Sequence, residues 1–427
     1  MKTNYYSFLL MMLSTLLFAQ NNDFNNAGGN LLWSNPANWT LNAVPTLSNA
    51  TAVRLPLLVE SNVDTNVSIR KIQNLFGAAG NISVGGTGIM TIDAGAANAY
   101  AIENVTENNH QLNFKGNVTI NNAAGFSRIR NLNGTQNTIR FDAGSTLTLI
   151  TALELFTGSN NAGYVFNGAL AGPANFRLAA GVTATFGATS NNTNYSGEFV
   201  FLANSNLIVN TADNGLFYSG LKFQVNGSGG TVTFNGANVF QSGISVGAAN
   251  VFNAVFNKNQ SAMTNIIFGG AGNLNLTIGA EVTNLSFANN SDNNWSTGTL
   301  NIINFEDGII RFGTDNTGLT SDQLAQINAP AAGEPLALDS NGFLVRQSSL
   351  SVGNFEVTNN PILINTITMN KLEFSKPQNQ VTVIDINGRV VMNDNQINQE
   401  YLNVQSLTAG IYLAIFENNI IEKFIKK

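Results

Sequence analysis

The 427-residue sequence predicts an all-β protein, a right-handed parallel β-helix (β-solenoid) body followed by a small C-terminal β-sandwich. Two observations predict the body. Short strands of alternating apolar and polar residues recur every ~20–40 residues between about 81 and 312, with no helical periodicity of useful length among them. Gly-Gly, Asn-Gly and Asn-Asn pairs separate these strands, and the composition of 40 Gly against 8 Pro suits turns that need left-handed backbone. The sandwich is predicted by six or so short strands at close spacing in the last 77 residues.

The alternation is legible in Asn117-Val118-Thr119-Ile120, Thr183-Ala184-Thr185-Phe186 and Asn273-Leu274-Asn275-Leu276-Thr277-Ile278. A row of antiparallel sandwiches would show the same period of two. Irregular spacing, few prolines and abundant Asn favour the solenoid, in which equivalent Asn side chains of successive turns stack as amide ladders. Near residue 33, Trp33 and Trp39 flank Asn35-Pro36. Such a pair can plug the open end of a solenoid, whose first turn has no neighbour, or offer a platform to a sugar ring; burial is the better-supported of the two.

Charged residues make up only 10% of the chain and the net charge is −6, so Asn, Ser, Thr and Gly must keep the surface wet. The one basic cluster, Lys423, Lys426 and Lys427, sits at the extreme end, which argues against a nucleic-acid partner. With no cysteine, disulfides, thiolate metal sites and Cys nucleophiles are excluded. Stability must therefore come from burial and hydrogen-bonded sheet.

Residues 1–19 read as a signal peptide: Lys2 is the positive start, residues 8–18 are an apolar run, and cleavage is expected between Ala19 and Gln20. That run is too short to span a bilayer, and no other stretch of the mature chain is apolar enough to do so. The body is expected over 20–346, with a short closing helix near 320–327, N-capped by Thr320 or Ser321 and showing Leu324 and Ile327 on one face. Residues 310–345, from Ile310-Arg311-Phe312-Gly313 through Asp339-Ser340-Asn341-Gly342, resemble the closing segment of proteins with autotransporter-associated β-strand repeats. That resemblance implies a solenoid and no particular activity.

Gln347-Ser348-Ser349 reads as a polar linker to a unit over 351–427. Within it the order Asn360-Pro361, Val383-Ile384-Asp385-Ile386-Asn387-Gly388-Arg389, Gly410-Ile411-Tyr412 and a basic terminal strand with Lys423 resembles the type A sorting domain of type IX secretion. The resemblance implies an immunoglobulin-like sandwich that carries a folded cargo through the outer membrane of Bacteroidetes-type bacteria, by way of the periplasm, to the surface or the medium. It also implies the type IX machinery as partner and surface polysaccharide as a possible anchor. One departure is Asn359 where that family usually has Pro. In such a sandwich Val381 and Val383, faced by Leu413 and Ile415, are expected to line the core, with Gly388 and Gly410 in turns and Gly388 at positive φ.

Candidate chemistry is sparse. His110 is the single histidine, so His-based triads and multi-His metal sites are excluded, and its polar neighbours suggest a solvated loop. Asp93, Asp142, Asp213 and Asp292 are isolated in sequence, although a solenoid could stack residues of successive turns. Arg128/Arg130 and Glu306/Asp307 read as solvated turn charges. Asp292 and Asp315 lie in Asp-Asn turns that are no calcium loop. The sequence thus assigns no catalytic, cofactor or metal residue. It leaves two readings: an exported structural or adhesin-like protein contacting a carbohydrate or cell-surface ligand, or a polysaccharide lyase or hydrolase on a β-helix scaffold.

Overall fold

A computed structural model describes residues 20–56, 59–74, 80–105, 110–131, 137–157, 163–329, 333, 335–347, 362–394, 398–417 and 420–427. The chain divides into two compact units, Met1–Leu350 and Ser351–Lys427. Their cores are separate. The expected signal segment with Ala19, and Asn360-Pro361, lie outside the described residues.

The first unit is a parallel β-solenoid of about 10 turns. Its strands stack into three columns. The first face is an 11-stranded sheet running from Asn22–Asp23 to Ile266–Phe268, and the second is a 12-stranded sheet from Glu60–Asn62 to Ile327–Asn328. The third begins as five strands, Val67–Ile69 to Ala169–Ala171, and resumes as three, Gln260–Met263 to Ile310–Phe312. Between these two sheets the third position is held by the isolated parallel bridges Gly172↔Tyr195 and Tyr218↔Phe240. Partners on successive turns lie from 19 residues apart (Val53↔Ile72) to 31 (Asn22↔Val53). That variation sits in the corners, which is why the repeat looks irregular in sequence.

Period-two alternation places every second side chain inside. In Asn273–Ile278 the residues Leu274, Leu276 and Ile278 are buried while Asn273, Asn275 and Thr277 face out. Because the turns are in register, like stacks on like. Phe114, Phe141, Phe166 and Phe186 form an interior column with successive ring centroids 4.9, 5.3 and 4.8 Å apart, near parallel. The next position is Val209, after which Phe234 and Phe256 resume at 4.9 Å. Phe217, from the third position, fills the gap, 5.0 Å from Phe186 and 6.5 Å from Phe234. Offset and edge-to-face ring pairs each add about 0.5–1.5 kcal/mol beyond their burial.

Outside, the amide ladder is present. Asn328, Asn301 and Asn275 each donate Nδ2 to the Oδ1 of the preceding turn's Asn, ending on Asn253, at 3.0, 2.9 and 2.9 Å. A second ladder, Asn257 to Asn235 to Asn210, runs at 2.7 Å per step. Corners use the same residue for its backbone. Of eleven non-glycine residues at positive φ among those described, eight are Asn, so abundant Asn serves turns and ladders alike. Gly172 (φ 98°) is required sterically: a Cβ there would lie 2.2 Å from the Leu149 carbonyl oxygen.

Trp33 and Trp39 are fully buried in the main core and packed edge to face at 5.0 Å, with Phe24 5.1 Å from Trp39. Neither indole is open to a sugar ring. The closing helix is Ser321–Ala325, capped by Thr320, whose Oγ1 accepts from the Gln323 amide while Gln323 Oε1 accepts from the Thr320 amide. Ile327 is not on that helix. It opens Ile327–Asn328, the last strand of the second face, because pairing with Leu300 outweighs one more helical turn. Gln347 is also less free than a linker: its amide donates to the Pro335 carbonyl.

The second unit has a five-stranded sheet containing Val381–Asp385, Gly410–Phe416 and Ile421–Lys426, and a two-stranded sheet of Lys371–Gln378 and Gln399–Asn403, with one shared core. Val381 and Val383 point inward as expected, but Leu413 and Ile415 do not. The antiparallel register Val381↔Phe416 and Val383↔Ala414 sends Phe416, Ala414 and Tyr412 inward instead. Gly410 is not in a turn but opens the strand Gly410–Phe416.

Truncating Phe141 to Ala removes a ring stacked on both sides and should cost about 3–5 kcal/mol. Asn275→Ala, which breaks two exterior amide bonds, should cost about 1 kcal/mol. Urea unfolding of the two variants, compared by midpoint, checks the order.

Candidate functional site

Two places in the molecule collect polar side chains into an arrangement. The first is the end of the second unit that carries the sequence-selected motif. Asp385 closes a tight hairpin: its Oδ1 accepts from the amides of Asn387 and Arg389, both at 3.0 Å, and its Oδ2 accepts from Arg389 Nε at 3.1 Å. Gly388 has φ 80°, as the sequence leads one to expect, with open space where a side chain would be. Those hydrogen bonds, the Arg389 amide first, hold the Asp385 carboxyl below its ordinary range despite its partial desolvation. The register Asp385↔Tyr412 then brings Tyr412 beside the hairpin. The Tyr412 hydroxyl donates to the Thr408 carbonyl at 2.9 Å and so pins the turn that leads into its strand. Asp385, Gly410 and Tyr412 line one shallow hollow with Arg389 and Thr408. Lys423 stays apart on the neighbouring strand, exposed and opposite Leu413. In the first unit, the Gln20 carbonyl accepts from the Thr51 amide.

The second place is the outward side of the solenoid's first face, and sequence reading missed it. Arg128 and Arg130 are not turn charges. They are the outward residues of the strand Ser127–Asn131. In-register stacking sets Glu154 between Arg128 and Arg177, and Glu103 between Gln73 and Arg130. Glu154 accepts from Arg128 Nε at 2.9 Å and from Arg177 Nε at 3.3 Å. Glu103 accepts from Lys71 Nζ at 2.9 Å, from Gln73 Nε2 and from Arg130 Nη2. The carboxylates are buried, at 1% exposure for Glu103 and 4% for Glu154, so each needs its cations. Aromatic rings frame the guanidinium groups. Arg130 lies 4.0 Å over Tyr100, and Phe126 sits 5.5 Å from Arg128 and 5.3 Å from Arg177. Phe156 is 5.4 Å from Arg128. The available signal was one charged residue between two apolar ones at the centre of each strand, Leu153-Glu154-Leu155 and Phe176-Arg177-Leu178. It becomes visible only once the turns are aligned.

The remaining candidates do not converge. His110 is no loop residue. It begins the strand His110–Phe114, is 2% exposed, and burial pushes its pKa down. Asp93 pairs with Arg70, Asp142 with Arg140, and Asp307 with Arg346, while Asp213 accepts from the Ala237 amide. Asp315 accepts from the amide and hydroxyl of Thr317, which lowers its pKa. Among the described residues no three His, Asp or Glu side chains are grouped to hold a metal ion. No described helix is long and apolar enough to cross a membrane.

The lowered Asp385 pKa has a direction. Its stabilising effect is fully present above the carboxyl's unfolded pKa of about 3.9 and is lost as pH falls through the lower folded value. Acid unfolding of the second unit should therefore steepen below about pH 4, and Asp385→Asn should flatten that acid limb. Proton-dependent melting of the two proteins checks it.

No curated protein sequence and no solved structure matches the chain. Residues 358–427 match the family described as the secretion system C-terminal sorting domain. That match indicates type IX secretion, with export across the outer membrane to the cell surface or the medium. The chain is a parallel β-solenoid joined to a C-terminal sorting domain of the type IX secretion system.

Proposed function

We propose that the solenoid is a structural, adhesin-like module, displayed on the cell surface or released from it. The observation that carries this reading is how the body's outward polar groups are used. Asn ladders and ion pairs join each turn to the next, which makes a stiff, disulfide-free scaffold suited to the cell exterior. Residues 1–19 serve as the signal peptide for passage into the periplasm, with cleavage between Ala19 and Gln20. Asn360 and Pro361 mark the approach to the sorting unit, and surface polysaccharide is the anchor where the protein is retained.

A polysaccharide lyase or hydrolase is the weaker reading. The buried carboxylates Glu103 and Glu154 are each held by two cations, whose hydrogen bonds occupy the oxygens a general base would turn toward a sugar. The His110 imidazole is turned into the core.

A truncation ending at Val345, expressed in the native host, should fold and accumulate in the periplasm, and the full-length exported protein should begin at Gln20. Fractionation and N-terminal sequencing check both. Normal appearance of the truncated chain outside the cell would overturn the sorting role of 351–427.

A further inference from the structure

The cation cluster on the first face has more charge than its own structure consumes. Lys71, Arg128, Arg130 and Arg177 surround two carboxylates, Glu103 and Glu154, so the patch carries two surplus positive charges on a chain of net charge −6. Arg128 and Arg177 each use Nε on the shared Glu154, and the Nη groups of both have no protein acceptor among the described residues. Their side chains remain 28% and 31% exposed. Arg130 Nε is buried without a partner. These guanidinium groups are held in place by the sheet, by the central carboxylates and by ring faces, so little side-chain entropy is left to lose on binding.

Resting on the reading of the body as an adhesive surface module, we propose that Arg128, Arg130 and Arg177, with Tyr100, Phe126 and Phe156, form a binding site for acidic polysaccharide. The Nη forks of Arg128 and Arg177 take the sugar's carboxylate or sulfate groups, since a planar fork matches a planar or trigonal oxyanion and charge-assisted hydrogen bonds are the strong ones. The half-buried rings of Tyr100, Phe126 and Phe156 steady the guanidinium groups and border them with the apolar surface that a pyranose C–H edge can meet. The backbones of Arg128 and Arg177 stand two strands apart, about 9–10 Å, and their guanidinium groups converge on Glu154 from either side, so the two forks form one anion-binding group that a chain laid across the strands meets. A nucleic acid fits less well, because export places the protein among glycans.

The test uses the full-length exported protein and measures binding to polygalacturonate, its methyl ester, a sulfated glycan, dextran and single-stranded DNA. Polygalacturonate or the sulfated glycan should bind and weaken with salt, the tighter of the two identifying the anion, while the methyl ester and dextran should not bind. Arg128→Gln with Arg177→Gln should weaken binding about tenfold or more. Arg128→Lys, which keeps a cation for Glu154 but removes the fork, should fall between. Lys258→Gln, at the distant Lys258–Glu281 pair, should leave affinity unchanged. Equal binding of the methyl ester, preference for DNA, or unchanged affinity in the folded double variant overturns the site. The ester comparison needs no variant and so stands even where the substitutions impair folding. Absence of glycan binding by a protein that still reaches the surface overturns this site alone and leaves the display reading intact; a protein that never leaves the periplasm overturns the display reading instead.

Discussion

The solenoid of the first unit depends on parallel backbone pairing between successive turns. A strand of two to six residues is too short to be stable alone, and each survives because neighbouring turns complete its hydrogen bonds. Parallel in-register pairing also dictates the side chains, because whatever stands at one position rests on its counterpart about 4.8 Å away. Flat rings and amides tolerate that repetition. This is why the core carries a phenylalanine column from Phe114 to Phe186 and the surface an asparagine ladder from Asn253 to Asn328. Where the column lapses at Val209, a side chain from another corner, Phe217, supplies the missing volume. The corners absorb insertions, so turn length can vary without disturbing the columns.

The same constraint makes charge consequential. A like charge repeated in register would repel itself at every step, and the sequence avoids this mostly by having few charges. On the first face it avoids it by alternation, Arg128, Glu154, Arg177. Stacking half-buries these residues, so the ion pairs sit in a drier setting than Lys258–Glu281 or Lys115–Glu60, where solvent screens the interaction and stability gains little. Removing both cations of Glu103 or of Glu154 would strand a buried carboxylate, whereas losing an exposed pair would scarcely matter. The regularity that stabilises the scaffold thereby fixes guanidinium groups in a row, and a row of fixed donors is what a surface needs in order to recognise a polymer.

The second unit follows different rules. Its strands pair antiparallel except where Ile367–Thr368 lies parallel to Ile421–Lys426, its register is set largely by hairpins, and its core is its own. Asp385 is central to one of those hairpins because its carboxylate satisfies two amides that the turn leaves open. Tyr412 fixes the opposite side through Thr408. Motif residues that look like an address label in the sequence are thus, at close range, structural devices that hold one end of the sheet in shape.

Much of this was determined by sequence alone. Alternation and Asn/Gly punctuation are local properties, so the solenoid, its amide ladders and the positive φ of Gly388 followed from them, as did a helix capped by Thr320 or Ser321, of which the structure selects Thr320. The export route followed instead from the resemblance of the ordered motif with Asp385, Gly388, Gly410 and Tyr412 to the type IX sorting domain. What the sequence could not decide was which residues meet across turns and which of two apolar faces turns inward. In Gly410–Phe416 both phases are apolar, and only pairing with Val381–Asp385 chose Tyr412, Ala414 and Phe416 over Leu413 and Ile415. Ile327 was drawn into the sheet by Leu300, and His110 was buried by the strands on either side of it. The Arg128–Glu154–Arg177 stack joins residues 23 to 26 positions apart through corners of unequal length. No fixed period in the sequence reveals such a contact, because backbone hydrogen bonding between turns, rather than spacing along the chain, brings those charges together.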